Sequence, residues 1–171
     1  MNRRSVLRTV GAGLATAGTG CLGTGGEVVV SVQQDVHVDP GRAWMETGIP
    51  DVSDPGGALR YIVRAQQPFD VYFFTDEAAF EQYKAYIQGR EPTETPPANP
   101  EYSQTALPKD GGDLYEASTD DGGAREPLEA TGPYYFVVDH SNYRMETRVD
   151  EFGEALTAFV DLTIIRDRLP F

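Results

Sequence analysis

LTAFVDLTII, residues Leu156–Ile165, decides which kind of fold this chain takes. Phe152, Leu156 and Phe159 share one helical face, so a helix over Glu151–Val160 is one reading. The other is a strand, because Leu156, Ala158, Val160, Leu162 and Ile164 alternate with Thr157, Phe159, Asp161, Thr163 and Ile165. The β-branched residues from Thr157 to Ile165 lose side-chain freedom against a helical turn but sit comfortably on a pleated surface. The strand reading prevails.

The same period runs through the rest of the chain. Val28, Val30, Val32, Val36 and Val38 alternate with Ser31, Gln33, Asp35, His37 and Asp39, until Pro40 and Gly41 end the run. Arg42–Thr47, with Trp44 and Met45, reads as a short strand or irregular turn before the Gly/Pro-rich loop Ile49–Gly57. Leu59, Tyr61, Val63 and Ala65 form one face of the next strand, and Arg60 and Arg64 the other. Phe69–Thr75 is apolar on both faces, which predicts a central position in a sheet. Thr75 and Asp76 supply N-cap chemistry, Glu77 suits the positive end of the dipole, and Phe80, Tyr83 and Ile87 share one side of a helix over about 76–88. Four prolines in EPTETPPANP, Glu91–Pro100, predict an extended loop. A short strand around Leu114–Ala117, a DDGG turn at Asp120–Gly123 and a strand over Pro133–Asp139 complete the pattern.

Several strands separated by Gly/Pro loops, with one short inserted helix, predict a mainly β chain: an antiparallel β-sandwich with Greek-key-like connections. FDVYFFTDEAAFEQY, Phe69–Tyr83, and TGPYYFVVDHSNY, Thr131–Tyr143, resemble paired strands of small extracytoplasmic β-sandwich modules of the GOLD and bacterial pre-peptidase types. The resemblance covers a small part of the chain and implies a fold alone.

Met1–Gly23 reads MNRRSVLRTVGAGLATAGTGCLG, the layout of an export signal ending in a lipid-attachment site. Arg3 and Arg4, followed by Ser5, Val6 and Leu7, resemble the twin-arginine signal. Thr19, Gly20 and Cys21 resemble the end of a lipobox, with Gly18 standing where a lipobox has an aliphatic residue. The apolar stretch is too brief and too rich in glycine to span a bilayer. These resemblances imply a signal peptide over residues 1–20 and lipid attachment at Cys21; glycine content then marks a flexible spacer to residue 27, and the remaining length, 28–171, fits a single domain. The expected location is the outer side of the cell membrane.

Acidic residues outnumber basic ones 27 to 14, for a net charge of −13, and Arg3, Arg4 and Arg8 of the basic set lie in the leader. Such a surface cannot supply the basic face that nucleic acid requires. Lys84 and Lys109 are the only lysines. Acid excess with scarce lysine resembles the proteins of extreme halophiles, and the whole chain resembles haloarchaeal twin-arginine lipoproteins of unknown role. In that setting a dense carboxylate surface stays hydrated where salt has screened ordinary charge.

Catalytic and metal-binding patterns are sparse, and no catalytic residue, cofactor or metal ligand is assigned. His37 and His140 are the only histidines and lie on different predicted strands. Asp139, His140 and Ser141 carry the side chains of a hydrolytic triad, but consecutive strand residues point to opposite faces. Cys21 belongs to the leader, so a blue-copper site has no thiolate. His37 and His140 have no zinc-ligand spacing. Asp110, Asp113, Asp120 and Asp121 cluster in Gly-rich turns, yet DGGD and DDGG lack calcium-loop spacing. Tyr61, Tyr72, Phe73, Phe74, Tyr134, Tyr135 and Phe136 read mainly as core, and an exposed subset would suit a glycan or a protein.

The expected role is a non-catalytic interaction domain, tethered to the lipid membrane through Cys21, that meets an envelope protein, the surface layer or a glycan. The alternatives are a small-ligand or cation (Ca2+) binding module serving a transporter, lined by Trp44, tyrosines and carboxylates, and a hydrolase using a carboxylate pair such as Glu146 and Asp150.

Overall fold

The computed structural model describes residues 26–89, 98–141 and 154–168. Among them the chain order is β1 Gly26–Val38, β2 Arg42–Ile49, β3 Gly57–Ala65, β4 Asp70–Phe74, α1 Glu77–Ile87, β5 Gln104–Thr105 and β6 Leu107–Pro108. It continues with β7 Tyr115–Ser118, the single turn α2 Asp120–Gly123, β8 Glu126–Pro127, β9 Tyr134–His140 and β10 Leu156–Asp167. The chain is mainly β, with two antiparallel sheets and little helix.

Sheet A has the order β1-β10-β3-β7-β6, with β8 also on β3, and sheet B has the order β2-β9-β4-β5. LTAFVDLTII thus forms β10, paired on both sides: Leu162 faces Val32 of β1 and Tyr61 of β3. Strand β4 lies between β9 and β5, in keeping with its two apolar faces. Strands β1, β2, β3 and β9 are each followed by a strand of the other sheet, so the long strands that pair within a sheet are remote in sequence.

Alternation fixes what faces the interior. Val36, Val38, Leu59, Tyr61, Val63, Leu156, Ala158, Val160, Leu162 and Ile164 of sheet A pack against Val71, Phe73, Tyr134, Phe136 and Val138 of sheet B. Each large side chain buried in this way contributes about 1.5–3 kcal/mol. Tyr61 and Phe136 meet edge to face across the sandwich, 5.1 Å between centroids. Trp44 is half-buried on the edge strand β2, edge-on to Phe136 at 6.4 Å. It is a flank of the core.

The outer face of sheet B carries a second apolar layer under α1. Asp76 Oδ1 accepts from Ala79 N at 2.8 Å, which caps the helix, and Glu77 sits in its first turn. Phe80 stacks on Tyr135 at 3.9 Å, and Tyr83 packs on Phe74 at 5.3 Å. Arg42 Nη1 donates to Ile87 O at 3.1 Å, satisfying a carbonyl at the C-terminal end of the helix.

Two boundaries differ from the sequence reading. Strand β1 begins at Gly26, inside the expected spacer, because β10 runs on to Asp167 and supplies partners for Gly26 and Glu27. Strand β2 runs on to Ile49 because β9 gives it a ladder, with a register shift between Glu46 and Ile49. Residues Cys21, Arg3 and Arg4, with the rest of the leader, lie outside the described residues. So do Glu146, Asp150 and most of the Pro-rich loop.

Candidate functional site

The inward alternation of β10 forces Thr157, Phe159, Asp161 and Thr163 onto the outer face of sheet A. An aromatic ring is placed there among polar residues. Register then sets its neighbours: Phe159 lies opposite Asp35 of β1 on one side and Arg64 of β3 on the other, and Arg64 lies opposite Glu116 of β7. Asp35, Phe159, Arg64 and Glu116 form one row across four strands. Phe159 is half-buried.

Two of the charges in this row, Arg64 and Glu116, are tied to each other. Arg64 Nε donates to Glu116 Oε2 at 2.6 Å, and Lys109 Nζ donates to the same oxygen at 2.7 Å. Burial pushes the Glu116 carboxyl up, but the hydrogen bonds from Lys109 and Arg64 outweigh it and hold the group below the usual carboxylate range. Nearby, Arg60 Nη1 donates to Asp161 Oδ2 at 3.0 Å. Asp161 and Glu116 are therefore paired with Arg60, Arg64 and Lys109, and Asp35 forms no ion pair among the described residues. These six side chains sum to zero on a chain of net charge −13.

An open groove of about 410 Å³ runs beside Phe159, lined by Asp35, Arg64, Gln66, Gln67 and Thr157. Gln67 Nε2 donates to Ala155 O at 3.1 Å, which fixes the amide. Its Oε1 is buried without a hydrogen-bond donor among the described residues. The volume falls within the range of small-ligand sites, and the lining pairs one aromatic face with planar polar side chains.

A second polar cluster lies under α1. Asp70 of β4 and Asp139 of β9 are direct cross-strand partners, and both are buried. Tyr83 Oη donates to Asp139 Oδ1 at 2.5 Å, and Ser141 donates from Oγ at 2.8 Å and from N at 3.1 Å. Tyr72 Oη donates to Asp70 Oδ2 at 3.0 Å. Burial pushes the Asp139 carboxyl up to about 7; Tyr83 and Ser141 pull against it, and Asp70 adds to it. Asp139 has no exposed surface. This cluster fastens α1 to sheet B.

The histidines fall apart as strand alternation requires. His37 is exposed on the outer face of sheet A, with Nδ1 3.4 Å from Thr157 Oγ1 and Nε2 3.9 Å from Asp39. His140 is buried on the opposite side of β9 from Asp139, with Nε2 3.1 Å from Glu154 O. Asp139 and Ser141 bond to each other under the helix while His140 turns away.

Asp110 and Asp121 take left-handed backbone conformations, φ 54° and 51°, which gives them a turn role. Among the described residues no group of three or more His, Cys, Asp or Glu side chains could hold a metal ion. Of the aromatics, Tyr61, Phe73, Phe74, Tyr134 and Phe136 are buried, and Tyr72 and Tyr135 are half-buried beside α1.

Phe159 was the residue whose role the sequence left unread. Its signal was an aromatic at an outward position of an alternating strand, but its neighbours depend on register. Comparison with family models, curated proteins and solved structures gives no match to the chain.

Proposed function

We propose that this chain is an exported, lipid-tethered module that presents a non-catalytic β-sandwich to a partner in the cell envelope. The observation that carries the reading is an asymmetry between the two sheets. Sheet B is covered by α1, whereas among the described residues the outer face of sheet A carries only the single turn α2 against Ile62 and leaves open a row of polar and charged residues around Phe159. A binding module needs one such open face, and a tether needs a domain that starts close to its anchor. Strand β1 begins at Gly26, a few residues after Cys21. Two lipid chains on that cysteine would hold the domain at a membrane, whereas one binds reversibly.

The test is intact mass and membrane fractionation of the native chain beside Cys21→Ser in a halophilic host. Shortening to Cys21, added lipid mass and sedimentation with membranes, all lost in the variant, are the expected results. Soluble, unlipidated protein from both the native gene and the variant would refute the tether and leave a secreted binding protein.

A further inference from the structure

We infer that the groove beside Phe159 is a binding site for a neutral saccharide, with the Phe159 ring as its platform and Asp35, Arg64 and Gln66 as its hydrogen-bonding rim. This rests on the reading of the chain as a binding module and names the chemistry of its ligand.

The first argument is charge. A chain with 27 acidic and 14 basic residues does not balance its charge by default, yet on this one face Asp161 and Glu116 meet Arg60, Arg64 and Lys109, and Asp35 lines the same groove as Arg64. Arg64 is bound to Glu116, and Arg60 to Asp161. An anionic ligand would have to compete with Glu116 and Asp161 for the guanidinium groups, and a cationic one drawn to Asp35 would meet the Arg64 guanidinium in the same groove. A neutral ligand faces neither penalty.

The second argument is the lining. An apolar ligand would strand the carboxylate, guanidinium and amide groups of the rim without partners, each at a cost of about 1–3 kcal/mol if desolvated. A polyhydroxyl ring offers both donors and acceptors: Asp35 accepts, Arg64 keeps N–H groups beyond the one given to Glu116, and an amide does both. A sugar also has an apolar face of C–H groups suited to an aromatic ring.

The third argument is shape. The groove is open along a sheet surface, and a chain of sugar rings can lie across it without being enclosed. Its volume of about 410 Å³ suits a short segment of such a chain. The exposed Leu114, at 38%, borders it and extends the apolar contact.

The test uses the purified full chain in concentrated KCl, with maltohexaose, cellohexaose, mannohexaose and chitohexaose as neutral probes and heparin-derived hexasaccharide as a charged one. Binding is read by saturation-transfer NMR and by calorimetry. Saturation of at least one neutral probe is expected, with Phe159→Leu, which keeps an apolar side chain but loses the ring, weakening it about tenfold or more. Phe159→Leu must retain the wild-type melting transition, and Glu81→Gln on α1 must bind as wild type. Cys21→Ser must bind equally well, so loss of the tether and loss of the sugar site are separate outcomes. Three results overturn the proposal: no binding of any neutral probe at millimolar concentration, binding unchanged in Phe159→Leu, or preference for the charged probe. Capture of a deglycosylated envelope protein through this face, without sugar binding, would assign it to a protein instead.

Discussion

Tyr83 reaches from the middle of α1 to the carboxyl of Asp139 on β9, 2.5 Å away, and Asp139 sits directly across the ladder from a second buried aspartate, Asp70. Two carboxyls so placed cannot both ionise cheaply in a site closed to water. The tyrosine and Ser141 supply the donors that make the arrangement tolerable. Removing Tyr83 Oη alone leaves the ring packing on Phe74 intact while leaving Asp139 short of a donor. Tyr83→Phe should therefore cost about 1–3 kcal/mol. Urea unfolding checks this, and a loss well under that range would mean Ser141 suffices.

The same pair sets a pH dependence. With its carboxyl pushed up to about 7 by burial, Asp139 keeps a proton in the folded chain that the unfolded chain has lost above about pH 4. Folding binds the proton, so the Asp139 contribution to stability falls as pH rises from about 4 to 7, by up to about 1.4 kcal/mol per pH unit, and levels off above. His140 works in the opposite sense, because burial lowers its pKa and the folded chain gains stability as pH rises towards the ordinary histidine value. Asp139→Asn keeps the His140 effect and removes the other. The wild-type minus variant stability, from urea midpoints, should fall across that window and then flatten. A flat difference throughout would show that Asp139 is ionised in the fold.

The strand period of Leu156–Ile165, the two apolar faces of Phe69–Phe74 and the cap and spacing of α1 were all legible in the sequence, because each is a local pattern. The sandwich followed from them. The short pairs β5, β6 and β8 were not legible, since two residues carry no period. Neither candidate cluster was legible either. Asp70 opposite Asp139, and Phe159 between Asp35 and Arg64, are facts of register between strands far apart in the chain. A shift by one residue would send every one of these side chains to the other face.

Gly57 marks where that register is pinned. A Cβ at this position would stand 2.5 Å from the carbonyl of Ile165 and 2.5 Å from Val52 Cγ2. One neighbour is backbone and the other a buried β-branched side chain, so neither yields by rotation. Gly57→Ala should destabilise by about 1–3 kcal/mol or more through overpacking. Gly41→Ala is the comparison: nothing lies within 4 Å there, and the cost of its φ of +73° is confined to the backbone. Thermal melts of the pair should rank Gly57→Ala as the more damaging, and equal shifts would mean that β3 and β10 can part locally.

Salt discriminates between two electrostatic effects that act in opposite directions. A net charge of −13 repels itself, and screening that repulsion stabilises the fold. The ion pairs of Arg64 and Lys109 with Glu116 are stabilising, and screening weakens them. Exposed pairs contribute only about 0–1 kcal/mol each. Self-repulsion involves the whole surface and should dominate, so the melting temperature of the wild type rises as KCl is added. Glu116→Gln lessens the repulsion by one charge but strands two cations that are each more than a third exposed and can rehydrate. Its cost should be about 1 kcal/mol in dilute buffer and should shrink in concentrated KCl. If the cost persists at high salt, the Glu116 carboxyl is held by hydrogen bonds in a site that salt does not reach, and the row beside Phe159 is a rigid feature of the fold. If instead the wild type loses stability as KCl is added, the pairs outweigh the repulsion and the acidity of the chain is not an adaptation to salt.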